Sequence, residues 1–356
     1  MNKTPLTFSS GHRMPNRFSL APLTNLQSHE DGRLSDDEFH WLTLRAKGGF
    51  GLTMTCASHV QAVGKGFPGQ LGIFSEIHQS GHRRLAKAIK EEGSLAVIQL
   101  HHAGMRSPKE LIAQAPMCPS DQPKYGAKGM TLVEVEKLRD DFILAAKRAQ
   151  EWGYDGVQVH GAHGYILGQF LSHELNNRQD KYGGDLEGRS RLIIEIIDGI
   201  RQTCGAQFLV GIRLSPERFG MVLEEVKSLC RRLISEGQVD FLDISVWDWQ
   251  KYPEEEKHKD KTLLQHFTEL DYKDVKLTVA GKIYSATDVQ AVLAQGVDFV
   301  TIGKAAILHY DFPKQVVVNP QFSSHELPVT MAYLKEQGLG KEFIKYLQGW
   351  TGFVKG

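Results

Sequence analysis

The stretch TLVEVEKLRDDFILAAKRAQEWGYDGVQVH, residues 131–160, contains a helix pattern that is followed directly by a strand pattern. Its apolar positions repeat at alternating spacings of four and three residues, which marks one buried face of a helix. These positions are Leu138, Phe142, Ala145, Ala149 and Trp152. Thr131 and Glu134 have the spacing of a capping box, which predicts where the helix begins. The closing run GVQVH is rich in valine, as buried parallel strands usually are, so the stretch is typical of an α/β protein.

The same alternation extends along the chain on both sides of this stretch. Short apolar runs bounded by glycine, proline or polar residues recur with helical patterns between them, which indicates βα units and a parallel sheet. The eight candidate strands cover residues 17–22, 51–55, 95–100, 156–160, 208–214, 241–246, 276–280 and 299–302. A second capping box, at Ser285 and Asp288, predicts a helix between the last two strands. The sequence therefore predicts an α/β fold, a (β/α)₈ TIM barrel.

A doubly wound open sheet is the structural alternative, because it also alternates strands and helices. Such a sheet normally has a phosphate-binding loop after its first strand, whereas the first strand here ends in APLTN, residues 21–25. The polar stretches 101–130 and 161–188 are too long for plain connectors, and in a barrel such loops build the active site. We therefore predict a single barrel domain over residues 1–356, with residues 320–356 as a C-terminal helical tail.

Composition and charge argue against several classes of function. Lys plus Arg total 42 and balance 42 Asp plus Glu, and no basic run could follow a phosphate backbone, so no nucleic-acid partner is expected. The N-terminal MNKTPLTFSS lacks the apolar region of a signal peptide, and about 18 consecutive apolar residues, as a membrane helix requires, occur nowhere. A cytoplasmic protein without a membrane partner is the default. The four cysteines lack CxxC spacing, which indicates ordinary buried thiols.

Polar residues at the C-terminal ends of the predicted strands are the main indication of function, because barrel enzymes place their chemistry there. The strand-end positions are Thr24, Ala57, Ser58, Gln99, His160, His163, Arg213, Trp247 to Trp249, Gly281, Gly303 and Lys304. For any one of them, capping of a strand end is an equally good interpretation. Gln99 offers a donor and an acceptor, and Arg213 is a fixed cation, so together they could bind the imide edge and developing anion of a flavin ring.

The string VHGAHGY, residues 159–165, contains two histidines three residues apart. In a continuous strand His160 and His163 would point to opposite faces, so they converge only if the chain turns, which the glycines of the string permit. Two imidazole N–H groups could then donate to one carbonyl oxygen and stabilise the enolate that hydride addition creates. Tyr165 holds its proton at neutral pH and could act as an acid. A metal pair or core packing is the alternative for the histidines, but no third metal ligand is defined, so no metal is predicted.

Glycines after the last two strands point to a phosphate site. Gly281 follows the seventh strand, and Gly303 with Lys304 follows the eighth. Barrels often bind phosphate at these loops, through backbone amides and a helix N-terminus, and the ammonium of Lys304 would add a point charge. Glycine also simply ends strands, so this indication depends on its agreement with the ring-binding residues.

These strings resemble the Old Yellow Enzyme family, also called NADH:flavin oxidoreductases, over residues 15–354. The matching strings are APLTN (21–25), RAKGGFGL (45–52), IQLHHAG (98–104), HGAHGYILGQFLS (160–172), NRQDKYGG (177–184) and FIKYLQGWTGFV (343–354). The resemblance implies one FMN-binding barrel with NADPH or NADH as hydride donor. It also implies an ene reductase of the NADPH dehydrogenase type, which passes hydride from flavin N5 to the activated C=C bond of a small enone or a similar electrophilic alkene. A homo-oligomer is compatible with the family.

The resemblance also implies roles for individual residues. The FMN-binding residues would be Pro22, Leu23, Thr24, Ala57, Gln99, Arg213, Gly281, Gly303 and Lys304. Of these, Thr24 would contact the O4 and N5 edge, Ala57 would act through its backbone, and Arg213 would lie near N1. Gly281, Gly303 and Lys304 would hold the phosphate.

In the catalytic set that the resemblance implies, His160 and His163 bind the substrate carbonyl and Tyr165 delivers a proton to the α carbon. A dienoyl-CoA reductase or amine dehydrogenase is an alternative within the family, but its additional cluster needs cysteines, and this chain has none after Cys230. Outside ene reduction, the residues are also compatible with a non-redox phosphate-binding barrel, such as an aldolase or isomerase, and with a flavin-binding module without turnover.

Three positions bear on how closely the chain follows the family pattern. Lys304 stands where the family usually has arginine, which loses the bidentate fork for phosphate and predicts a lower FMN affinity. Met105 replaces the basic residue of the family's HAGR string, and Arg106 follows it. Thr24 resembles the classical members rather than the branch with cysteine at this position, so no thiol tuning of the flavin is expected.

Overall fold

The computed structural model describes residues 4–355, and their central feature is a closed barrel of eight parallel strands surrounded by helices. The strands in that part of the chain are β1 Leu6–Thr7, β2 Arg13–Met14, β3 Phe18–Leu20, β4 Leu52–His59, β5 Leu95–His101, β6 Met117–Cys118, β7 Lys128–Gly129, β8 Gly156–Gly161, β9 Leu209–Leu214, β10 Phe241–Ser245, β11 Lys276–Ala280 and β12 Phe299–Ile302. The α-helices there are α1 Asp36–Lys47, α2 Gln79–Glu91, α3 Lys109–Ile112, α4 Leu132–Glu151, α5 Ile166–Leu171, α6 Leu186–Cys204, α7 Leu223–Glu236, α8 Leu263–Thr268, α9 Ala286–Ala294, α10 Lys304–Leu308, α11 Phe312–Val318, α12 Met331–Glu336 and α13 Lys341–Gln348. The 3-10 helices there are Ala62–Gly64, Glu76–His78, Gly104–Arg106, Pro123–Tyr125 and Glu256–His258.

The strand order around the barrel is β3, β4, β5, β8, β9, β10, β11, β12, and β12 pairs with β3 to close it. All eight predicted strands are therefore present, and the predicted TIM barrel is confirmed. Two boundaries differ from the prediction by more than one residue. β3 ends at Leu20, so Pro22 lies in the loop, and β4 continues past Thr55 to His59 with an irregularity between Met54 and Ala57. Ala57 thus lies within a strand rather than after it, because the bulge lets pairing with β5 resume.

The two predicted capping boxes are confirmed. Thr131 accepts from the backbone N–H of Glu134 at the start of α4, and Ser285 accepts from that of Asp288 at the start of α9. Each satisfies a backbone donor that the first helical turn leaves unpaired. The predicted apolar face of α4 is buried, and Trp152, just after the helix ends, is buried with it.

The N-terminal end of the barrel is closed by apolar side chains. The hairpin β1–β2 packs Phe8 against Phe241 and Phe299, with ring centroids 6.0 and 5.9 Å apart. Phe241 and Phe299 are the first residues of β10 and β12, so this cluster lies beneath the strands. Space for a ligand is therefore left at the opposite end, where the strands finish.

Residues after the last barrel strand fold back towards that open end. In α13, Phe343 is buried with its ring centroid 4.9 Å from that of Trp41 in α1, and the Gly340 N–H donates to the side chain of Gln27 at 2.8 Å. The organisation of the whole chain as one domain with a tail at 320–356 stays a prediction. Among residues 4–355, no helix combines the length and apolar character needed to cross a membrane.

Candidate active site

A cavity of about 480 Å³ opens at the C-terminal end of the barrel, within the size range of small-molecule sites. The predicted site residues that line it are Pro22, Leu23, His163, Arg213, Gly281, Gly303 and Lys304. Trp247, one of the strand-end positions singled out in the sequence, also lines it. Four further lining residues were not predicted to have a site role, namely Ser245, Lys282, Tyr284 and Trp350. The predicted residues outside this lining are Thr24, Ala57, Gln99, His160 and Tyr165. The structure therefore collects the predicted residues into a cavity and a polar neighbourhood beside it.

The loop that follows β3 is held by a buried carboxylate on α1. The Asn25 side chain donates to one oxygen of Glu38 at 3.1 Å, and the Ser28 hydroxyl donates to the other. Glu38 is fully buried, and this burial raises the pKa of its carboxyl. These bonds fix the loop that carries Pro22, Leu23 and Thr24, so Glu38 is a positioning residue that sequence reasoning missed.

A row of buried polar side chains crosses the barrel beneath the cavity. Gln99 donates to Gln158 at 2.7 Å, and Gln158 donates to Asp243 at 3.0 Å. The same Asp243 carboxylate lies 3.5 Å from the guanidinium Nε of Arg213, which has no hydrogen-bond partner among the described residues. Burial raises the pKa of Asp243, and the Arg213 cation opposes that shift. Gln158 and Asp243 therefore orient the two residues that were predicted to bind a flavin ring.

The two predicted histidines converge, as the turn hypothesis required. His160 lies in β8, and the chain then turns at His163 and Gly164, whose φ angles are +60° and +67°. The two imidazole centroids are 5.2 Å apart, and the Tyr165 ring lies 5.3 Å from that of His160. Of the two glycines predicted to permit the turn, Gly164 has the left-handed backbone, whereas Gly161 remains in the strand and His163 has a positive φ in addition. Non-glycine residues rarely adopt this conformation, so neighbouring contacts must hold it.

Serine side chains provide those contacts. The backbone N–H of His163 donates to the hydroxyl of Ser215 at 2.9 Å, and its ring Nε2 lies 2.8 Å from the hydroxyl of Ser245. Burial lowers the pKa of His163 to about 3 and that of His160 well below its ordinary value. Both rings are therefore neutral at physiological pH, and each carries one N–H donor. The Nδ1 atom of His160 is buried without a partner among the described residues.

A third imidazole, His101, belongs to this cluster and was not predicted. Its ring centroid lies 4.4 Å from that of Tyr165 and 5.5 Å from that of His160. The Gln70 amide donates to the Nδ1 of His101 at 3.1 Å and to the carbonyl oxygen of Ala57 at 2.7 Å. An amide nitrogen can only donate, so Nδ1 of His101 is the acceptor and Nε2 carries the hydrogen. Gln70 thus links Ala57 to the aromatic cluster.

The glycines after β11 and β12 differ in the space that surrounds them. A Cβ at Gly281 would lie 2.9 Å from the backbone nitrogen of Asp248, so the close approach of two loops requires glycine there. Outside its chain neighbours, a Cβ at Gly303 would meet nothing closer than 3.9 Å, and Gly303 lines the cavity. Lys304 is exposed, and its ammonium lies 5.2 Å from the centre of the Trp350 ring. The space at Gly303 and the ammonium of Lys304 suit an anionic group, and the unpartnered Nε of Arg213 suits an imide ring. FMN has both features.

Comparison with known proteins decides the family. The sequence profile of the "NADH:flavin oxidoreductase / NADH oxidase family" matches residues 4–320. The chain belongs to this family. It is 35% identical over 315 residues to the probable NADH-dependent flavin oxidoreductase YqiG of Bacillus subtilis, covering 85% of this chain and 84% of that protein. It is 36% identical over 242 residues to an NADPH dehydrogenase of Geobacillus sp., covering 66% of this chain and 70% of that protein.

The solved structures agree on the fold. The Old Yellow Enzyme homologue from Zymomonas mobilis superposes with a TM-score of 0.80 at 24% identity, covering 97% of this chain and 99% of that one. The family resemblance predicted from the sequence is confirmed. As a member of the NADH:flavin oxidoreductase family, the protein is an FMN-dependent flavin oxidoreductase that uses NADH or NADPH. The chain spans only 32%, 51% and 36% of the length of three further relatives.

Buried neutral histidines make the stability of this flavin oxidoreductase depend on pH. Burial lowers the pKa of His59 and His82 to about 4, and that of His102 and His163 to about 3. Each pKa is lower in the folded chain than in the unfolded chain, where it is near 6.5. The unfolded state therefore binds more protons below that pH, and each histidine lowers the free energy of unfolding as the pH falls from 6.5 towards its folded value.

We predict that His82→Gln makes stability less sensitive to acid. His82 bonds to the Tyr154 hydroxyl and the Gly72 carbonyl, both at 2.8 Å, away from the cavity. Between pH 7 and pH 5, the wild-type chain should lose about 2 kcal/mol more unfolding free energy than the variant. Urea denaturation of both proteins with saturating FMN measures this difference. Equal losses of unfolding free energy in the two proteins would contradict a neutral buried His82. Burial raises the pKa of Glu38 and Asp243, so these groups change stability with pH in the opposite direction. Both proteins contain them, so their contribution cancels in the difference.

Proposed function

We propose that this flavin oxidoreductase reduces the activated C=C bond of small α,β-unsaturated carbonyl compounds. The observation that carries the proposal is the convergence of two neutral imidazoles, His160 and His163, with the phenol of Tyr165 beside the cavity. When bound, FMN would supply the hydride chemistry that links NAD(P)H to the β carbon of the alkene. The remaining chemistry is the polarisation of a carbonyl and the delivery of one proton, and the three side chains are suited to both.

The histidine pair is suited to bind the carbonyl oxygen of the substrate. An N–H from each ring can donate to that oxygen, and the two bonds strengthen as negative charge develops on it. Both rings are neutral, so they stabilise the charge as preorganised donors without first giving up a proton. The contacts of His163 with Ser215 and Ser245 reduce the reorganisation that this task requires.

Tyr165 is suited to protonate the α carbon. Burial raises the pKa of its phenol, while the nearby Arg106 cation opposes that shift, so the hydroxyl holds its proton at neutral pH. The Tyr165 ring lies against both His101 and His160, within the cluster that would hold the carbonyl. The phenol would therefore meet the carbon next to that carbonyl.

FMN is proposed to occupy the cavity and the polar row beside it. The residues proposed to hold it are Pro22, Leu23, Thr24, Ala57, Gln99, Arg213, Gly281, Gly303 and Lys304. The buried row from Gln99 to Arg213 supplies donors and acceptors for the ring, and the open face of Gly303 with the ammonium of Lys304 supplies a place for the phosphate. A cytoplasmic location and a homo-oligomer stay predictions from the sequence.

An anaerobic stopped-flow experiment tests the proposed function. The purified protein should contain FMN, NADH or NADPH should bleach the visible flavin absorbance, and cyclohexenone should restore it within the turnover time. A nitro compound and a saturated ketone serve as further acceptors, of which the saturated ketone should not restore the absorbance. Bleaching by a nicotinamide without recovery on addition of any enone would contradict the reaction but not the family. A colourless protein that does not take up FMN would contradict both the cofactor and the reaction.

A further inference from the structure

The turn after β5 presents a cation to the histidine cluster in a fixed position. Gly104–Arg106 forms one turn of 3-10 helix, and the Gln169 side chain on α5 holds it by accepting from the backbone N–H of Met105 at 3.1 Å. The same amide donates to the carbonyl of Gly164 at 2.8 Å. Gly104 has a φ of +62°, and a Cβ there would overlap the Gln169 amide, so glycine is required. One side chain thus ties the Arg106 turn to the histidine turn.

The guanidinium of Arg106 touches two of the three proposed catalytic residues. It donates to the backbone carbonyl of His163 at 2.5 Å, and its central carbon lies 4.7 Å from the centre of the Tyr165 ring. Arg106 is exposed, whereas His160 is buried and Tyr165 is half-buried. A molecule with its carbonyl at the histidines and its α carbon at Tyr165 is therefore within reach of the guanidinium.

Most of the N–H donors of Arg106 remain available for a ligand. A guanidinium has five N–H groups, and the carbonyl of His163 uses one. Arg106 forms no ion pair with any residue between 4 and 355, in contrast to Arg218, which lies over the Trp247 ring and pairs with Glu254 at 2.8 Å. A cation that is anchored on a loop and lacks a carboxylate partner is prepared to receive an anion from outside the chain.

We propose that Arg106 is a specificity-determining residue that recognises a carboxylate on the substrate, so that the preferred alkenes carry an acid group in addition to the activating carbonyl. The inference rests on the proposed ene reduction. The planar guanidinium fork matches the two oxygens of a carboxylate, and a hydrogen bond to a charged group discriminates more strongly than one to a neutral group. A phosphate of NADPH is another anion that could bind to Arg106. The rates at which NADPH and NADH reduce the protein distinguish it from a substrate carboxylate.

The experiment compares two esters that differ in one charge. Dimethyl fumarate carries two esters on its alkene, whereas monomethyl fumarate carries one ester and one carboxylate. Their intrinsic reactivities differ, but this difference cancels when the ratio is compared between variants. In Arg106→Gln, the ratio of kcat/KM for the monoester to that for the diester should fall by about tenfold or more. Arg106→Lys should retain part of the ratio, because it keeps the charge without the fork. Arg218→Gln removes a paired cation near the same opening and should change the ratio by less than about twofold.

The outcomes separate this inference from the proposed function. If the wild-type protein reduces the diester and cyclohexenone but Arg106→Gln leaves the ratio unchanged, Arg106 does not select a carboxylate and the ene reduction stands. Equal losses for both esters would mean that Arg106 only supports the histidine turn, which overturns the inference. A fall in the rate of reduction by NADPH relative to NADH, with an unchanged ester ratio, would assign the anion to the nucleotide instead. Reduction of neither ester nor cyclohexenone by the wild-type protein overturns the proposed function itself.

Discussion

Replacing both His160 and His163 with alanine is expected to lower kcat/KM for cyclohexenone by about a thousandfold or more, because removing one oxyanion donor alone reduces turnover by roughly 10²–10³. The two rings lie 5.2 Å apart and are neutral, and the double variant removes both donors that the proposed mechanism places on the carbonyl oxygen. The measurement is the rate at which cyclohexenone reoxidises the reduced protein. FMN content should be retained, since neither ring belongs to the residues proposed to hold the cofactor.

Tyr165→Phe is the matched comparison for this double variant. Its ring still fills the space against His101 and Arg106, so cyclohexenone should bind with a dissociation constant within a few-fold of the wild-type value. Turnover should nevertheless fall, because the proton donor is lost. Thermal unfolding of each variant checks that the turn at His163 has survived. Wild-type reoxidation rates in the double variant, with FMN bound, would remove the histidines from the mechanism.

Gly303→Val should produce a folded protein that retains little FMN. Outside its chain neighbours, a Cβ at residue 303 meets no atom closer than 3.9 Å, so the cavity leaves space for it. The backbone angles there, φ −97° and ψ −103°, lie outside the regions that L residues prefer, so valine adds local strain and should lower the melting temperature. Its methyl groups would fill the space proposed for the phosphate, and overpacking of this kind typically weakens binding by tenfold or more. The measurement is the ratio of FMN to protein after desalting, followed by titration of the stripped protein with FMN.

Two companion variants make this second experiment specific. Gly303→Ala adds a single carbon and should lower FMN affinity less than valine does. Lys304→Arg restores the fork that the family usually has and should raise FMN affinity by a few-fold. Full FMN occupancy in Gly303→Val would show that the phosphate lies elsewhere. Loss of the cooperative thermal transition in the stripped valine variant would instead identify a folding defect.

The sequence was sufficient for the elements whose signals are local. β8 and α4 were predicted correctly because valine content, apolar spacing and a capping box all lie within one window. The end of β4 was predicted wrongly, since pairing with β5 resumes after the bulge, and such pairing depends on a strand about forty residues away. The left-handed backbone at His163 was not predicted, because the Ser215 bond that supports it comes from another strand end.

The supporting residues of the candidate site were the least visible in the sequence. Gln158 and Asp243 sit inside strands that have the pattern of ordinary buried runs, and their importance follows only from the barrel register that pairs Gln158 with Gln99 and Asp243 with Arg213. Trp350 reaches the cavity from the end of the chain, far from any barrel strand. Such contacts are long-range, so no window of sequence contains both partners.

The tie through Gln169 has a consequence for the engineering of chimeras. The amide of Gln169 contacts both Met105 and Gly164, so the conformations of the βα loops after β5 and β8 depend on each other. Neither loop can be exchanged alone. Grafting the loop after β5 from a relative without a matching partner would leave two buried amide hydrogen bonds unmade and would displace the histidine turn. Recombination libraries built on this barrel should therefore exchange the two loops together with α5.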